Sequence, residues 1–132
     1  MEYEVEMVGR VIKSGRGEGF ALVSTEPIGL LGGLDPDTGQ VVEVGHPLEG
    51  EFVTGRVLVF PIGKGSTVGS YTLYRMTKAG TAPAAILNAE SEAIVAVGAI
   101  IGNIPMVDRL DIRQIRTGDW VRVDGDKVFV RR

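Results

Sequence analysis

Gly55-Arg56-Val57-Leu58-Val59-Phe60-Pro61-Ile62-Gly63-Lys64-Gly65-Ser66-Thr67 decides the fold class. The apolar run Val57 to Phe60, bounded by Gly55 and Pro61, predicts a buried strand. Ile62-Gly63-Lys64-Gly65 predicts a tight turn. Ser66 is a good N-cap, Thr67 to Lys78 the helix after it, and Gly80 its C-terminal stop. Gly69, Leu73 and Met76 share one helical face that can lie close against a sheet. A strand that turns directly into a helix marks an α/β unit.

Upstream of this unit, Glu2 to Val11 alternates polar and apolar residues and predicts a half-buried strand. Lys13 to Gly19 predicts a turn, and Phe20 to Val23 a short second strand. Glu26 to Gly50 is a long irregular stretch, with Gly-Gly, Asp-Pro and His-Pro turn signals. Its apolar residues, among them Ile28, Leu30, Leu34, Val41 and Leu48, predict a packed loop. Downstream, Ala84 to Leu87 and Ile104 to Val107 predict short strands. Ala93 to Ile101, apolar throughout and rich in β-branched residues, predicts a central strand. Asp119 to Val130 predicts a hairpin around Asp124-Gly125. The expected fold is a β-rich α/β domain with one helix, occupying residues 1–132.

Composition bounds the chemistry. The chain has 132 residues, 14 Lys plus Arg, 17 Asp plus Glu, one His and no Cys. The absence of Cys excludes disulfides, thiolate-ligated metal and a thiol nucleophile within this chain. A single histidine, His46, excludes a multi-histidine metal site. A net charge of −3 argues against a nucleic-acid module. The N-terminus is acidic and alternating, unlike a targeting peptide. The longest apolar run, Ala93 to Ile101, falls short of the ~20 residues of a membrane span. A soluble, cytoplasmic protein is expected, without nucleic acid or membrane. Gly accounts for 19 residues, about twice the usual share of ~7%. Mean hydropathy of +0.16 points either to a dense β core or to a surface covered by another subunit.

The Phe60 to Ser70 segment carries the strongest functional signal. A helix N-terminus presents unpaired N–H groups and partial positive charge, which suits an anion. Gly63 and Gly65 would let a ligand approach the backbone, Lys64 would add a full charge, and Ser66 a hydroxyl. Gly65 separates Lys64 from Ser66, so this is no Walker A loop. Gly63, Gly65 and Gly69 do not fit a dinucleotide fingerprint. Ser66 as an ordinary cap is the competing reading. Gly32 and Gly33 could admit a substrate or a partner's backbone. Asp35 and Asp37 read as turn chemistry, and His46 as a structural residue. Asp108 and Asp111, beside Arg109 and Arg113, read as surface salt bridging. Asn88 ends a short strand, where it could reach a site or cap a turn. Trp120 and Phe129 read as packing residues.

The ordered set Gly32-Gly33-Leu34-Asp35, Thr38-Gly39, His46-Pro47-Leu48-Glu49-Gly50, Gly55-Arg56, Phe60 to Tyr71 and Ala82-Pro83-Ala84-Ala85 resembles the small subunit of the aconitase X family. The resemblance covers most of the chain, best from about Gly17 to Pro105. It implies the swivelling β/β/α domain of aconitase-type hydro-lyases and an active site shared with a separate large subunit. It implies that the large subunit holds an iron–sulfur cluster, expected to be 4Fe-4S, while this chain binds no cofactor or metal. The likeness is nearest to the archaeal branch that dehydrates (R)-5-phosphomevalonate, a phosphorylated small molecule of the mevalonate pathway. The hydroxyproline branch usually carries Arg-Gly-Ser-Cys where this chain has Lys64-Gly65-Ser66-Thr67. The family's proton-accepting serine maps onto Ser66. Gly63, Lys64, Gly65, Thr67, Gly32 and Gly33 are the expected substrate-binding residues. The alternatives are another hydroxy acid such as cis-3-hydroxyproline, or a non-catalytic anion-binding module. A helix end contributes about 0.3–1 kcal/mol, up to ~2 when partly buried. That is too little alone to sustain a serine alkoxide at neutral pH.

Overall fold

The structure, a computed structural model, describes residues 3–65 and 67–132, with the backbone alone for Thr67. In chain order it has strands β1 (Val5–Val8), β2 (Arg10–Lys13), β3 (Arg16–Val23), β4 (Ile28–Gly29), β5 (Val57–Phe60) and β6 (Gly63–Lys64). Helix α1 (Ser70–Ala79), strand β7 (Ala85–Asn88) and helix α2 (Ala93–Gly102) follow. Strands β8 (Met106–Asp108), β9 (Trp120–Asp124) and β10 (Lys127–Arg131) complete the order. No helix among the described residues is long and apolar enough to cross a membrane.

Eight strands form one sheet in the order β1-β10-β9-β3-β5-β7-β8-β2, while β4 and β6 pair separately. β3, β5, β7 and β8 run parallel to their neighbours in this central part, and the hairpin β9–β10 and both outer strands pair antiparallel. β1 and β2 lie at opposite edges, yet Gly9 alone separates them in sequence. The sheet therefore curls until its edges nearly meet. A Cβ at Gly9 would collide with the Asp108 carbonyl and come within 2.5 Å of Val107 Cγ1, so glycine makes this corner. The single strand expected over residues 2–11 is thus two strands.

Both faces of the parallel strands are covered, which explains their apolar runs. Ala21, Val57, Val59, Ala85, Leu87 and Val107 pack with the hairpin's Val121, Val123, Val128 and Val130 inside the curled sheet. Leu22, Leu58, Phe60, Ile86 and Met106 pack on the other side under Leu73 and Met76 of α1 and Val95 and Ala99 of α2. Small side chains fill the inner core and larger ones the helix-covered core. The hairpin exposes one face, and its burial alternates accordingly. The irregular stretch packs as expected, with Ile28, Leu30, Leu34, Val41 and Leu48 buried.

Two expectations fail here. Residues 13–19 are not a turn, because Arg16 to Gly19 belong to β3 and pair with β9. Gly17 and Gly19 serve close packing: a Cβ at Gly17 would meet the Ala84 carbonyl, and one at Gly19 would sit 2.5 Å from the Gly55 carbonyl oxygen. Ala93 to Ile101 is not a central strand but helix α2. Glu92 caps it, its carboxylate accepting from the Ile94 N–H at 2.7 Å and the Val95 N–H at 3.3 Å. Asn103 closes it in the left-handed conformation, with φ 56°. Gly98 and Gly102 give α2 a face without side chains on which Leu73 of α1 rests. Caps and a glycine face outweigh the β propensity of the run.

Candidate functional site

The site is built where the chain leaves the carboxyl end of β5. Fully buried Asn88, at the end of β7, donates from Nδ2 to the Phe60 carbonyl at 2.9 Å and to the Leu87 carbonyl at 3.2 Å. The Ala89 and Glu90 N–H groups both donate to the Pro61 carbonyl at 3.1 Å. Asn88 therefore clamps the base of the glycine-rich loop. Its Oδ1 is the one buried side-chain polar atom without a hydrogen-bond partner among the described residues.

Residues Ile62–Gly65 are more than a tight turn. Gly63–Lys64, as β6, pair in parallel with Ile28–Gly29 of β4. Gly63 is buried, and the space its Cβ would take is filled by Val95 of α2, with the Glu92 Cβ at 3.6 Å. Gly63 thus makes room for a helix. Gly65 has φ 120°, a left-handed conformation that favours glycine, and a Cβ there would touch Gly29 Cα at 3.9 Å. Ser66 lies outside the described residues, as does the side chain of Thr67. Residues Thr67–Gly69 form a 3-10 turn, so the expected helix begins as an α-helix only at Ser70. The cap position of α1 is Gly69, which makes no side-chain cap bond. Gly80 closes α1 at φ 77°, as its position predicts.

The Gly32-Gly33 segment reaches the same place. Gly33 packs on Gly29, where a Cβ would strike the Gly29 carbonyl oxygen. Gly32 has φ 78° and nothing beside it. Lys64 Nζ donates to Glu43 Oε2 at 2.9 Å. The charge assigned to Lys64 is therefore already countered by a residue that sequence reasoning missed, lying 21 positions away in an irregular loop. A groove of about 140 Å³ lies here, lined by Glu26, Glu43, Gly45, His46, Pro47 and Lys64. Small-molecule sites usually enclose about 300–1,000 Å³. The groove is thus smaller than a substrate pocket.

His46 is a structural residue. Its Nδ1 accepts from the Leu48 N–H at 3.0 Å, which assigns the proton to Nε2, and Nε2 donates to the Pro27 carbonyl at 3.0 Å. Asp35 Oδ1 accepts from the Asp37 N–H at 2.9 Å, the expected turn. Asp111 and Arg113 form the expected surface pair at 2.8 Å. Asp108 differs: it is fully buried and pairs with Arg10 of β2, not with its sequence neighbours. Arg10 Nε and Nη2 donate to its two oxygens at 3.0 and 2.7 Å, and the Ser91 N–H donates at 2.9 Å. Burial pushes the Asp108 carboxyl up, but the hydrogen bonds from Arg10 and Ser91 outweigh it and hold the carboxyl below the ordinary range. Asp108 thereby fixes the turn that leads into Glu92 and α2. Trp120 lies half-buried on the hairpin's outer face, edge-on to Phe20 with ring centroids 4.9 Å apart, and Phe129 packs on Tyr3.

No group of three or more His, Cys, Asp or Glu side chains gathers among the described residues as a metal-ligand set. With no Cys in the sequence, the chain offers no thiolate to an iron–sulfur cluster.

Residues 6–131 match the aconitase X swivel domain family. A protein of Methanocella arvoryzae called phosphomevalonate dehydratase small subunit is 56% identical over 124 residues, covering 92% of this chain and 94% of its own. The protein of the same name from Pyrococcus furiosus is 50% identical over 123 residues, covering 93% and 92%. The crystal structure of Thermococcus kodakaraensis aconitase X in its holo-form superposes with a TM-score of 0.94 at 46% identity, covering 97% of this chain and 99% of that one. The solution structure of a UPF0107 protein gives 0.88 at 47% identity, covering 97% and 100%. A curled, helix-covered sheet with a Gly-Lys-Gly loop at its strand ends, matched in sequence and in shape over nearly its whole length, places this chain in the aconitase X swivel domain family.

Proposed function

We propose that this chain is the small subunit of a hydro-lyase that dehydrates (R)-5-phosphomevalonate to trans-anhydromevalonate 5-phosphate. The observation that carries the reading is about half of all residues shared, over more than nine-tenths of both chains, with proteins named phosphomevalonate dehydratase small subunit. A large subunit completes the site and holds the iron–sulfur cluster, expected to be 4Fe-4S, since this chain has no thiolate to offer. The small groove beside Lys64 supports this division, because a substrate pocket there needs a second wall.

In this reading Ser66 takes the proton from the carbon next to the departing hydroxyl. Lys64, Gly65 and Thr67 hold the substrate, with Gly32 and Gly33 across the β4–β6 pair. Gly63 joins them through its backbone while its missing side chain seats the loop on α2. A standalone anion-binding module is less well supported, because Glu43 already neutralises the loop's one lysine. The reaction is expected in the cytoplasm.

The test is anaerobic turnover of (R)-5-phosphomevalonate by this chain mixed with its large partner, each chain alone serving as control. Product from the mixture alone supports the reading. No product from an assembled complex with an intact cluster sinks the substrate. Ser66→Ala then lowers turnover by a factor of about 100 or more while the complex still assembles.

A further inference from the structure

Lys64 and Glu43 are held with more care than a surface ion pair requires. The stem of Lys64 lies over a glycine: a Cβ at Gly29 would stand 3.5 Å from Lys64 Cγ and 3.8 Å from its Cε. The Glu43 carboxylate lies over another, with Oε1 3.5 Å from where a Gly33 Cβ would be. The backbone of Glu43 is fixed on both sides. The Val42 N–H donates to the Gly33 carbonyl at 2.9 Å, and the His46 N–H donates to the Glu43 carbonyl at 3.2 Å. His46 in turn ties the segment to Pro27. The lysine's own backbone is paired in β6. Two side chains from distant parts of the chain thus meet over a floor of two glycines, each on an anchored backbone.

We propose that Glu43 is the positioning residue for Lys64, holding its ammonium in one place at the glycine-rich segment 63–65. This rests on the reading of that loop as part of the active site. An ammonium has three N–H donors. One is given to Glu43, and two remain for a ligand or for the partner subunit. A long, flexible lysine fixed in advance loses less freedom when substrate arrives.

A double-substitution cycle in the reconstituted two-chain enzyme tests this. E43A is expected to raise KM about tenfold with kcat within about twofold. In a K64M background the same change is expected to have no further effect, because Glu43 acts through Lys64. E43Q, which keeps an acceptor oxygen for Nζ, is expected to recover part of the loss. Equal losses with and without Lys64 overturn the proposal. So does a fall in KM in E43A, which would show Glu43 competing with the substrate. A second arm needs no turnover: trace labelling of the full chain with an amine-reactive reagent, with Lys13, Lys78 and Lys127 as internal references. E43A is expected to raise the relative rate of Lys64 by about threefold or more, as the carboxylate that holds and shields its amine is removed. An unchanged rate overturns the pairing. Should the wild-type enzyme fail on 5-phosphomevalonate, the proposed substrate falls, and the labelling still decides the role of Glu43.

Discussion

Helices α1 and α2 have ten residues each and pack on one another, yet they are made in opposite ways. α1 is amphipathic: Leu73 and Met76 are buried, and Tyr71, Arg75 and Lys78 face outward. It begins from a 3-10 turn, with Gly69 at its cap position. α2 carries no charge and is apolar all round. Its start is locked by Glu92 and by the Asp108 contact to Ser91. It meets α1 through Gly98 and Gly102, while Val97 and Ile100 remain about half exposed, at 48% and 50%. A helix buried by one neighbour needs one apolar stripe. The composition of α2 exceeds that need. The core is dense, and an apolar helix face is also left uncovered by this chain.

The largest expected effect falls on the turn that begins α2. Asp108→Ala leaves Arg10 and the Ser91 N–H without their partner and is expected to cost about 3 kcal/mol in urea unfolding. Because the carboxyl is held low in the folded chain, its contribution is complete above the unfolded value of about 3.9. It is lost as pH falls through the folded value. Asp108→Asn should therefore flatten stability against pH below about pH 4. An unchanged slope would show that Asp108 does not anchor α2.

Next comes the contact between the helices. A Cβ at Gly98 would already stand 3.0 Å from Leu73 Cδ1 and from the Ser70 carbonyl oxygen. Gly98→Val is expected to cost about 2 kcal/mol by forcing the helices apart. Val97→Ser, one position away on the outer face, should stay within about 0.5 kcal/mol. Similar costs at both positions, measured by the same unfolding titration, would erase the difference between the two faces of α2. The smallest effect is that of the cap: Glu92→Ala is expected to cost about 1 kcal/mol and to speed amide exchange at Ile94 and Val95 before the rest of the helix.

The same contrast explains what could be read in advance. β5, β7 and β8 announce themselves because parallel strands covered on both faces are apolar throughout. The hairpin does so by alternation around Gly125, and α1 by its stripe and its closing Gly80. α2 was misread as a strand because an unbroken apolar run has no periodicity to separate the two. The deciding residues, Glu92, Gly98 and Asn103, act through caps and a neighbour rather than through pattern. Residues 16–19 looked like a turn because glycines that admit a crossing backbone resemble glycines that bend one. At the candidate site, the Gly-Lys-Gly-Ser segment is legible as a place, while the proton-accepting role proposed for Ser66 comes only through the family's likeness. Glu43 was not legible, since nothing in an irregular loop marks which carboxylate will meet a lysine.

Closure of the sheet at Gly9 also sets the order of events during synthesis. Among the described residues β1 pairs with β10 alone, Val5 opposite Val130, so this pairing waits until residues 127–131 have left the ribosome. Through most of translation the nascent chain carries one open edge at β1 and another beside β3, whose partner β9 also comes late. Pairings so distant in sequence form slowly. For this family member, then, the interval between emergence of β3 and emergence of the hairpin is when a chaperone or a neighbouring nascent chain finds the most exposed strand.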